Sequence, residues 1–471
     1  MSSLPPPAPG TGPYPGPAPK TPARPDPLTV ALGNASLLGL GYFLMRRWKT
    51  GIAALLVTAV LVVVLVVQKE SSYELAIVVW WAVAIVHGWF LAQQQPNRTS
   101  SLPKRLVALG LTVAVLLAVG VLRFGAARID DEAVAARNAG DCAGVSAAKA
   151  KYSFGHRLAD APRTVRVEGD VGACDRLDSA AITLRTATRT GDPKALDAGF
   201  GVLSEVLAEP GQEHTVSAVL DGFLRGLPAK DPCATVALTA ALRFRDPTHN
   251  LLDGARAVVP RLEPNALLGC GDARAAAGKW DEARVVYQQL ADNYPRAKQA
   301  VKARAGAQRA ALTLELNNVR GLITSGEYCS SPAKYGGAAP YHRRGVNRAL
   351  FVGGTDEYTG KLPSQWRTTD PYRATLMLCT EENDYGTAVE TCPYTPIGDS
   401  YAASTSVTFY KIAVPVKAYE LRTGRLVMST TVQIGGSSCP QTIYTSYTPS
   451  QEYVTPTSAT VQAAFKPILA P

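Results

Sequence analysis

Three apolar stretches crowded into the first quarter of the chain constrain its fold more than any other feature. Residues 51–67 read GIAALLVTAVLVVVLVV, residues 75–92 read LAIVVWWAVAIVHGWFLA, and residues 106–122 read LVALGLTVAVLLAVGVL. None holds an Asp, Glu, Lys or Arg. As helices rising 1.5 Å per residue, each is long enough to cross a hydrocarbon core of about 30 Å. A fourth stretch, 28–45 (LTVALGNASLLGLGYFLM), is interrupted by Gly33, Asn34, Ser36, Gly39 and Gly41. It reads first as another spanning helix with an outside N-terminus. The alternative is a re-entrant or interfacial segment, which leaves three spans and an inside N-terminus.

The net charge of +10 divides as +7 over residues 1–127, +2 over 128–325 and +1 over 326–471. The excess sits beside the apolar stretches, in Arg46, Arg47, Lys49, Arg98, Lys104 and Arg105. A nucleic-acid-binding domain would carry its surplus on its own folded surface, so no nucleic-acid partner is expected. Basic loops stay in the cytoplasm. The loops 46–49 and 97–105 are therefore assigned inside and the loop 68–74 outside, and everything after about residue 126 is exported. Residues 1–27 (LPPPAPGTGPYPGPAPKTPARPDP within them) form a Pro-rich tail that cannot bury a core, and no cleavable signal peptide is expected.

All eight cysteines, Cys142, Cys174, Cys233, Cys270, Cys329, Cys379, Cys392 and Cys439, fall in the exported part, where disulfides persist. Four lie in residues 127–325 and four in 326–471, and pairing is expected within each set. Proximity in sequence favours Cys142–Cys174 and Cys379–Cys392. No CxxC or Cys/His cluster has metal-site spacing, and no cofactor is implied.

Within the membrane block, Gly110, Ala114 and Ala118 share one helical face, a spacing that lets helices approach closely. His87 is the single titratable group in 75–92. With Trp89 beside it and Trp80 and Trp81 two turns back, it reads as an interfacial anchor. No charged residue recurs across the apolar stretches as a transport path would require.

Residues 127–325 are rich in Ala, Leu and Arg with apolar residues at helical spacing. Residues 265–300 (NALLGCGDARAAAGKWDEARVVYQQLADNYPRAKQA) place Gly271 at a small position of a first helix and Gly278 in a turn before Trp280. Ala283 and Tyr287 follow on a second helix, and Pro295 ends it. This segment resembles a tetratricopeptide repeat, in which the small residues admit close helix packing and the aromatic fills the gap. Arg274 occupies the position of the first-helix tyrosine and departs from the pattern. The resemblance implies a concave protein-binding array; a plain helical spacer is the competing expectation. Residues 138–151 and 190–209 repeat a Gly-Asp turn before an Ala-rich helix, at irregular spacing.

After Ser325 the composition turns to Tyr, Thr, Ser and Pro, with thirteen of the nineteen tyrosines. Residues 374–379 read as a strand, and 407–420 with 425–434 as a hairpin turning at Arg422-Thr423-Gly424. Residues 459–465 read as a further strand, and Pro415 marks its strand as an edge or bulge. The expected fold class is thus a membrane α-helical bundle of three to four helices (about 28–45, 51–67, 75–92 and 106–122, within 28–126), an extracytoplasmic helical repeat-like region (127–325) and a β-rich domain (326–471).

Taken with LGNASLLGLGYFLMRRW at 32–48, YELRTGRLV at 419–427, SCP at 438–440 and thirty-two Arg against sixteen Lys, the layout resembles uncharacterised multi-pass envelope proteins of actinobacteria. That resemblance implies location and architecture and no activity. GxSxG, HExxH and P-loop patterns are missing, and no enzyme is expected. In PYHRRGVNR (340–348), His342, Arg343, Arg344 and Arg348 form a candidate anion site. Asp356, Glu357, Glu381, Glu382 and Asp384 are acidic pairs that read as surface carboxylates. The expected partners are the lipid bilayer and a protein or cell-wall component, and the expected role is an envelope-anchored binding or scaffold protein. A sensor or accessory subunit, and an extracytoplasmic hydrolase, are the alternatives.

Overall fold

A computed structural model describes residues 26–68, 71–94, 102–354, 356–397, 403–444 and 449–471. The expectations for the Pro-rich tail and for Arg98 lie outside the described residues. The chain forms two compact units, residues 1–229 with 240–258, and residues 230–239 with 259–471. The composition shift at Ser325 marks where helices give way to strands; the division into units falls earlier.

The first unit opens with two short helices, α1 (Pro27–Ala35) and α2 (Leu40–Leu44), then three long ones, α3 (Trp48–Gln68), α4 (Ser71–Gln93) and α5 (Leu102–Asn138). Within α3, α4 and α5 lie three spans long and apolar enough to cross a membrane, Trp48–Leu65, Ser72–Gln93 and Arg105–Asn138. Only 17%, 17% and 11% of their apolar windows is buried by protein, so their surfaces suit a hydrocarbon solvent.

Residues 28–45 are not a single spanning helix. The nine residues of α1 rise only about 13 Å. Leu37 and Gly39 then adopt left-handed backbone conformations that reverse the chain into α2. Both ends of this hairpin lie at one end of the bundle: Asp26 caps α1 and pairs with Arg105 near the start of α5, while α2 runs through Arg46 and Arg47 into α3. Its tip meets the middle of α4, where the Trp81 indole donates to the Ala35 carbonyl (2.9 Å).

Helices α6 (Cys142–Ala150), α7 (Phe154–Ala159), α8 (Ala161–Thr190), α9 (Pro193–Leu207) and α10 (Glu213–Arg225) complete most of this unit. The repeated Gly-Asp pairs have a mechanical reason. Gly140 and Gly191 take positive φ after a helix, and Asp141 and Asp192 cap the next one at Gly144 N (3.0 Å) and Lys194 N (2.9 Å). Helix α11 (Pro232–Phe244) belongs to the second unit by its first half and to the first by its second half; a 3-10 segment, Leu251–Val258, follows.

In the second unit, α12 (Val259–Ala276), α13 (Trp280–Asn293) and α14 (Gln299–Thr324) precede a six-stranded mixed sheet. Its strands are β1 (Ala349–Val352), β2 (Leu376–Thr380), β3 (Asp384–Tyr394), β4 (Thr405–Glu420), β5 (Arg425–Ile434) and β6 (Gln451–Tyr453), with α15 (Asp356–Thr359) after β1 and α16 (Ser458–Leu469) at the end. The order is β1-β2-β4-β3, with β5 and β6 also on β4. The predicted hairpin is present, Val414 facing Val432 across it.

Three expectations are corrected here. Residues 459–465 lie in α16, not a strand: Thr457 caps it, and Val461, Phe465 and Ile468 at helical spacing bury against Leu376, Val414 and Val416. Pro415 lies inside the central strand. The strand changes partner there, from β3 over 405–413 to β2 over 416–420, so the missing N–H falls in the gap between them. The disulfides are Cys142–Cys174, Cys233–Cys270, Cys329–Cys379 and Cys392–Cys439. Cys142–Cys174 and the pairing within each set are as expected, but Cys379–Cys392 is not formed. Cys379 stands opposite Lys417 and Cys392 opposite Val407, ten positions apart along β4 and so about 34 Å, beyond any bridge.

Candidate functional site

The helix pair singled out in 265–300 is present as α12, a turn at Gly278 (φ +75°), and α13. Ala283 and Tyr287 are buried in its seam with Leu267, Leu290 and Ala303. Tyr287 is clamped from both sides. A methyl group on Gly271 would stand 2.6 Å from its Cδ1, and one on Gly306 of α14 would stand 2.8 Å from its Cε2. Its hydroxyl donates to Asp272 at 2.5 Å. Burial, then this bond to a carboxylate, pushes the phenol up to about 12. The helix ends at Asn293, two residues before Pro295. Arg274 works across the turn, ion-paired with Glu282 at 3.0 Å. The partner on the far side, Gly306, was not singled out from sequence.

The basic loop is built around Asn347, which is fully buried, accepts from His342 N (2.8 Å) and donates to the His342 carbonyl (2.7 Å). This ties the loop's base and leaves His342, Arg343 and Arg344 exposed, while Arg348 is half-buried at the start of β1. The loop is therefore a fixed turn displaying cationic side chains to solvent. Glu381 pairs with Lys417 (2.9 Å), and among the described residues the acidic pairs form no group close enough to hold a metal ion. Glu390, Cys392 and Cys439 approach one another, but both sulfurs are spent in a disulfide.

A polar arrangement lies among the apolar helices, where the sequence reading singles out His87 with Trp80, Trp81 and Trp89. Asn34 is buried on α1 and donates to the Ala84 carbonyl of α4 (3.0 Å). The Tyr42 hydroxyl of α2 donates to the same carbonyl (3.2 Å) and lies 2.8 Å from His87 Nδ1. Thr112 of α5 donates to the Leu32 carbonyl (2.6 Å), and Trp80 donates to Thr58 of α3 (3.0 Å). His87 and the two tryptophans thus join the hairpin and helices of the bundle. Trp80 and Trp81 lie at mid-helix and bond inside the bundle, so they do not mark an interface. The close approach uses Gly41 and Gly88: a methyl at Gly41 would strike the Asn34 side chain (2.6 Å to Oδ1), and one at Gly88 would stand 3.3 Å from Asn34 Cγ. Within the chain nothing packs on the predicted small-residue face: Gly110, Ala114 and Ala118 are exposed. Helix α5 packs through Ala108 and Thr112 on the opposite flank.

At the other end of the bundle, Arg123 of α5 bonds Glu74 of α4 (3.1 Å) and the Ala159 carbonyl closing α7 (2.8 Å). Tyr152 donates to the Ala126 carbonyl (3.3 Å). Its phenol is pushed up to about 12, chiefly by burial and then by Asp130 and Asp160 nearby. Helix α5 runs unbroken through this joint and is about 55 Å long. Comparison finds no matching family model, no matching curated protein and no matching solved structure.

Proposed function

We propose that this chain is an integral membrane protein of the cell envelope that presents an extracytoplasmic scaffold to a protein or cell-wall partner. The observation that carries the reading is the separation of chemistries along the chain. The three apolar spans begin before residue 106, and all four disulfides follow the apolar part of α5. Disulfides persist outside the reducing cytosol, and the basic residues Arg46, Arg47 and Arg105 sit at the opposite end of the bundle from Arg123 and Glu74. In this reading α1 and α2 form a re-entrant hairpin from the cytoplasmic side, and the N-terminal tail is cytoplasmic. The role is binding rather than catalysis. Its candidate surfaces are the TPR-like helices α12 to α14 and the cationic loop 342–348.

The test is co-sedimentation of the detergent-solubilised full chain with purified insoluble wall polymer, beside crosslinking in intact cells. Retention on the polymer, or a specific crosslink to exported residues, supports a scaffold. Polymer turnover without retention supports an extracytoplasmic hydrolase instead. The continuous α5 and the Arg123 joint favour a second reading, a sensor or accessory subunit in which external binding moves the membrane helices.

A further inference from the structure

A groove of about 290 Å³ runs between the hairpin and α5, lined by Leu40 and Leu44 on one wall and Pro103, Val107, Ala108 and Leu111 on the other. Every lining residue is apolar. Val107, Leu111 and Leu44 are 72%, 40% and 39% exposed, so the groove opens to the lipid-facing side of the bundle. At its end the chemistry changes sign. The chain leaves Leu44 through Met45 directly into Arg46 and Arg47, both exposed, and Arg105 follows Pro103 by two residues. The buried Asp26 is paired with Arg105, and the two exposed arginines remain as surplus positive charge at the mouth. Arg46 is held at φ +54°, a backbone conformation that would suit glycine better, yet the position carries a cation. Trp48, 64% exposed and edge-on to Phe43, stands at the same end, where amphipathic rings mark the headgroup depth.

An oily slot with a cationic mouth at headgroup level matches one molecule: an acyl chain carrying a negatively charged phosphate head. We propose that this groove is a binding site for an anionic glycerophospholipid of the cytoplasmic leaflet. One acyl chain lies along Leu40, Leu44, Val107 and Leu111, and the phosphate meets Arg46 and Arg47. Such a lipid completes the wall between the re-entrant hairpin and α5, tied across by Asp26–Arg105 and by Thr112 to the Leu32 carbonyl. The proposal rests on the membrane reading above.

The test uses the full chain in phosphatidylcholine nanodiscs with a trace of lipid bearing a photoactivatable diazirine in its acyl chain. The probe is phosphatidylglycerol in one arm and phosphatidylcholine in the other, and crosslinked peptides are mapped by mass spectrometry. Peptides covering 40–44 and 103–111 are expected to favour the anionic probe, by roughly five-fold for each arginine at an anionic surface. Arg46→Gln with Arg47→Gln brings the ratio towards one, and Val107→Trp lowers labelling of the groove by both probes. Equal labelling by the two headgroups overturns the proposal, as does labelling indifferent to Val107→Trp, or occupation of the groove by α5 of a second copy. The lipid-facing residues Leu56 and Val60 of α3 serve as an internal reference. If they too stay unlabelled, the membrane reading itself falls; if they are labelled while the groove shows no preference, only the lipid site does.

Discussion

Gly271→Ala places a methyl group against a ring that has nowhere to go. Ordinarily Gly→Ala inside a helix gains about 0.5–1 kcal/mol. Here the new Cβ would stand 2.6 Å from Tyr287 Cδ1, and retreat is blocked because Gly306 presses the opposite edge. Overpacking of this kind costs about 1–3 kcal/mol, and expelling the ring altogether costs about 3–5 kcal/mol. The methyl clash therefore outweighs the propensity gain, and the net loss is about 1–2 kcal/mol. The readout is hydrogen exchange of the detergent-solubilised chain, which measures local stability where two units preclude a single unfolding constant. Amides of α12, α13 and α14 are expected to exchange about 5- to 30-fold faster, each 1.4 kcal/mol being tenfold, while α8 and α9 stay unchanged. Adding Tyr287→Leu is expected to recover part of the loss, a coupling that single-site effects do not produce. Exchange that slows in Gly271→Ala, or a double variant no better than the sum of the two, refutes the clamp.

Three further outcomes follow from the same structure. The Tyr287 phenol is raised from 10.0 to about 12, so its contribution to stability is complete below pH 10 and is lost as pH rises towards 12; tyrosinate absorbance and alkaline unfolding should show this loss, and Tyr287→Phe should remove it. Glu420, held below the ordinary carboxylate range by Thr423 Oγ1 (2.6 Å) and Tyr341 N (2.9 Å), contributes stability above its ordinary value of 4.5 that is lost as pH falls through the depressed one. Thermal unfolding on an acid series should therefore be flatter for Glu420→Gln than for the unaltered chain. Cys329→Ser opens a loop with a sequence separation of 50, worth roughly 4 kcal/mol in the chain-entropy model; faster exchange confined to β1, β2 and β4 is expected, and unchanged exchange counts against the pair.

The three apolar helices were readable because their length and unbroken apolar composition set them apart from the rest of the chain. The hairpin of α1 and α2 was not, because a broken apolar segment and a continuous helix have the same composition. What separates them is tertiary: Asp26 reaching Arg105, and Asn34 and Tyr42 sharing the Ala84 carbonyl. The Gly-Asp turns and the Tyr287 seam are local and were readable. Gly306 was hidden because it lies on a third helix beyond the repeat-like segment. Residues 459–465 misled through β-branched neighbours, although Val461, Phe465 and Ile468 carried a helical period. Cys379 and Cys392 misled because closeness in sequence says nothing about which stretch of β4 each strand joins. The cationic loop was readable as charge, but its rigid base needed Asn347, a polar residue whose burial only the fold reveals.

The measurement that bears most directly on the whole account is a compartment reporter fused after Pro471 in living cells, using an enzyme that folds only where disulfides form. Three spans with basic loops inside predict an active reporter, together with no cysteine alkylated until reductant is added. An inactive reporter with all eight cysteines open to alkylation would contradict the account.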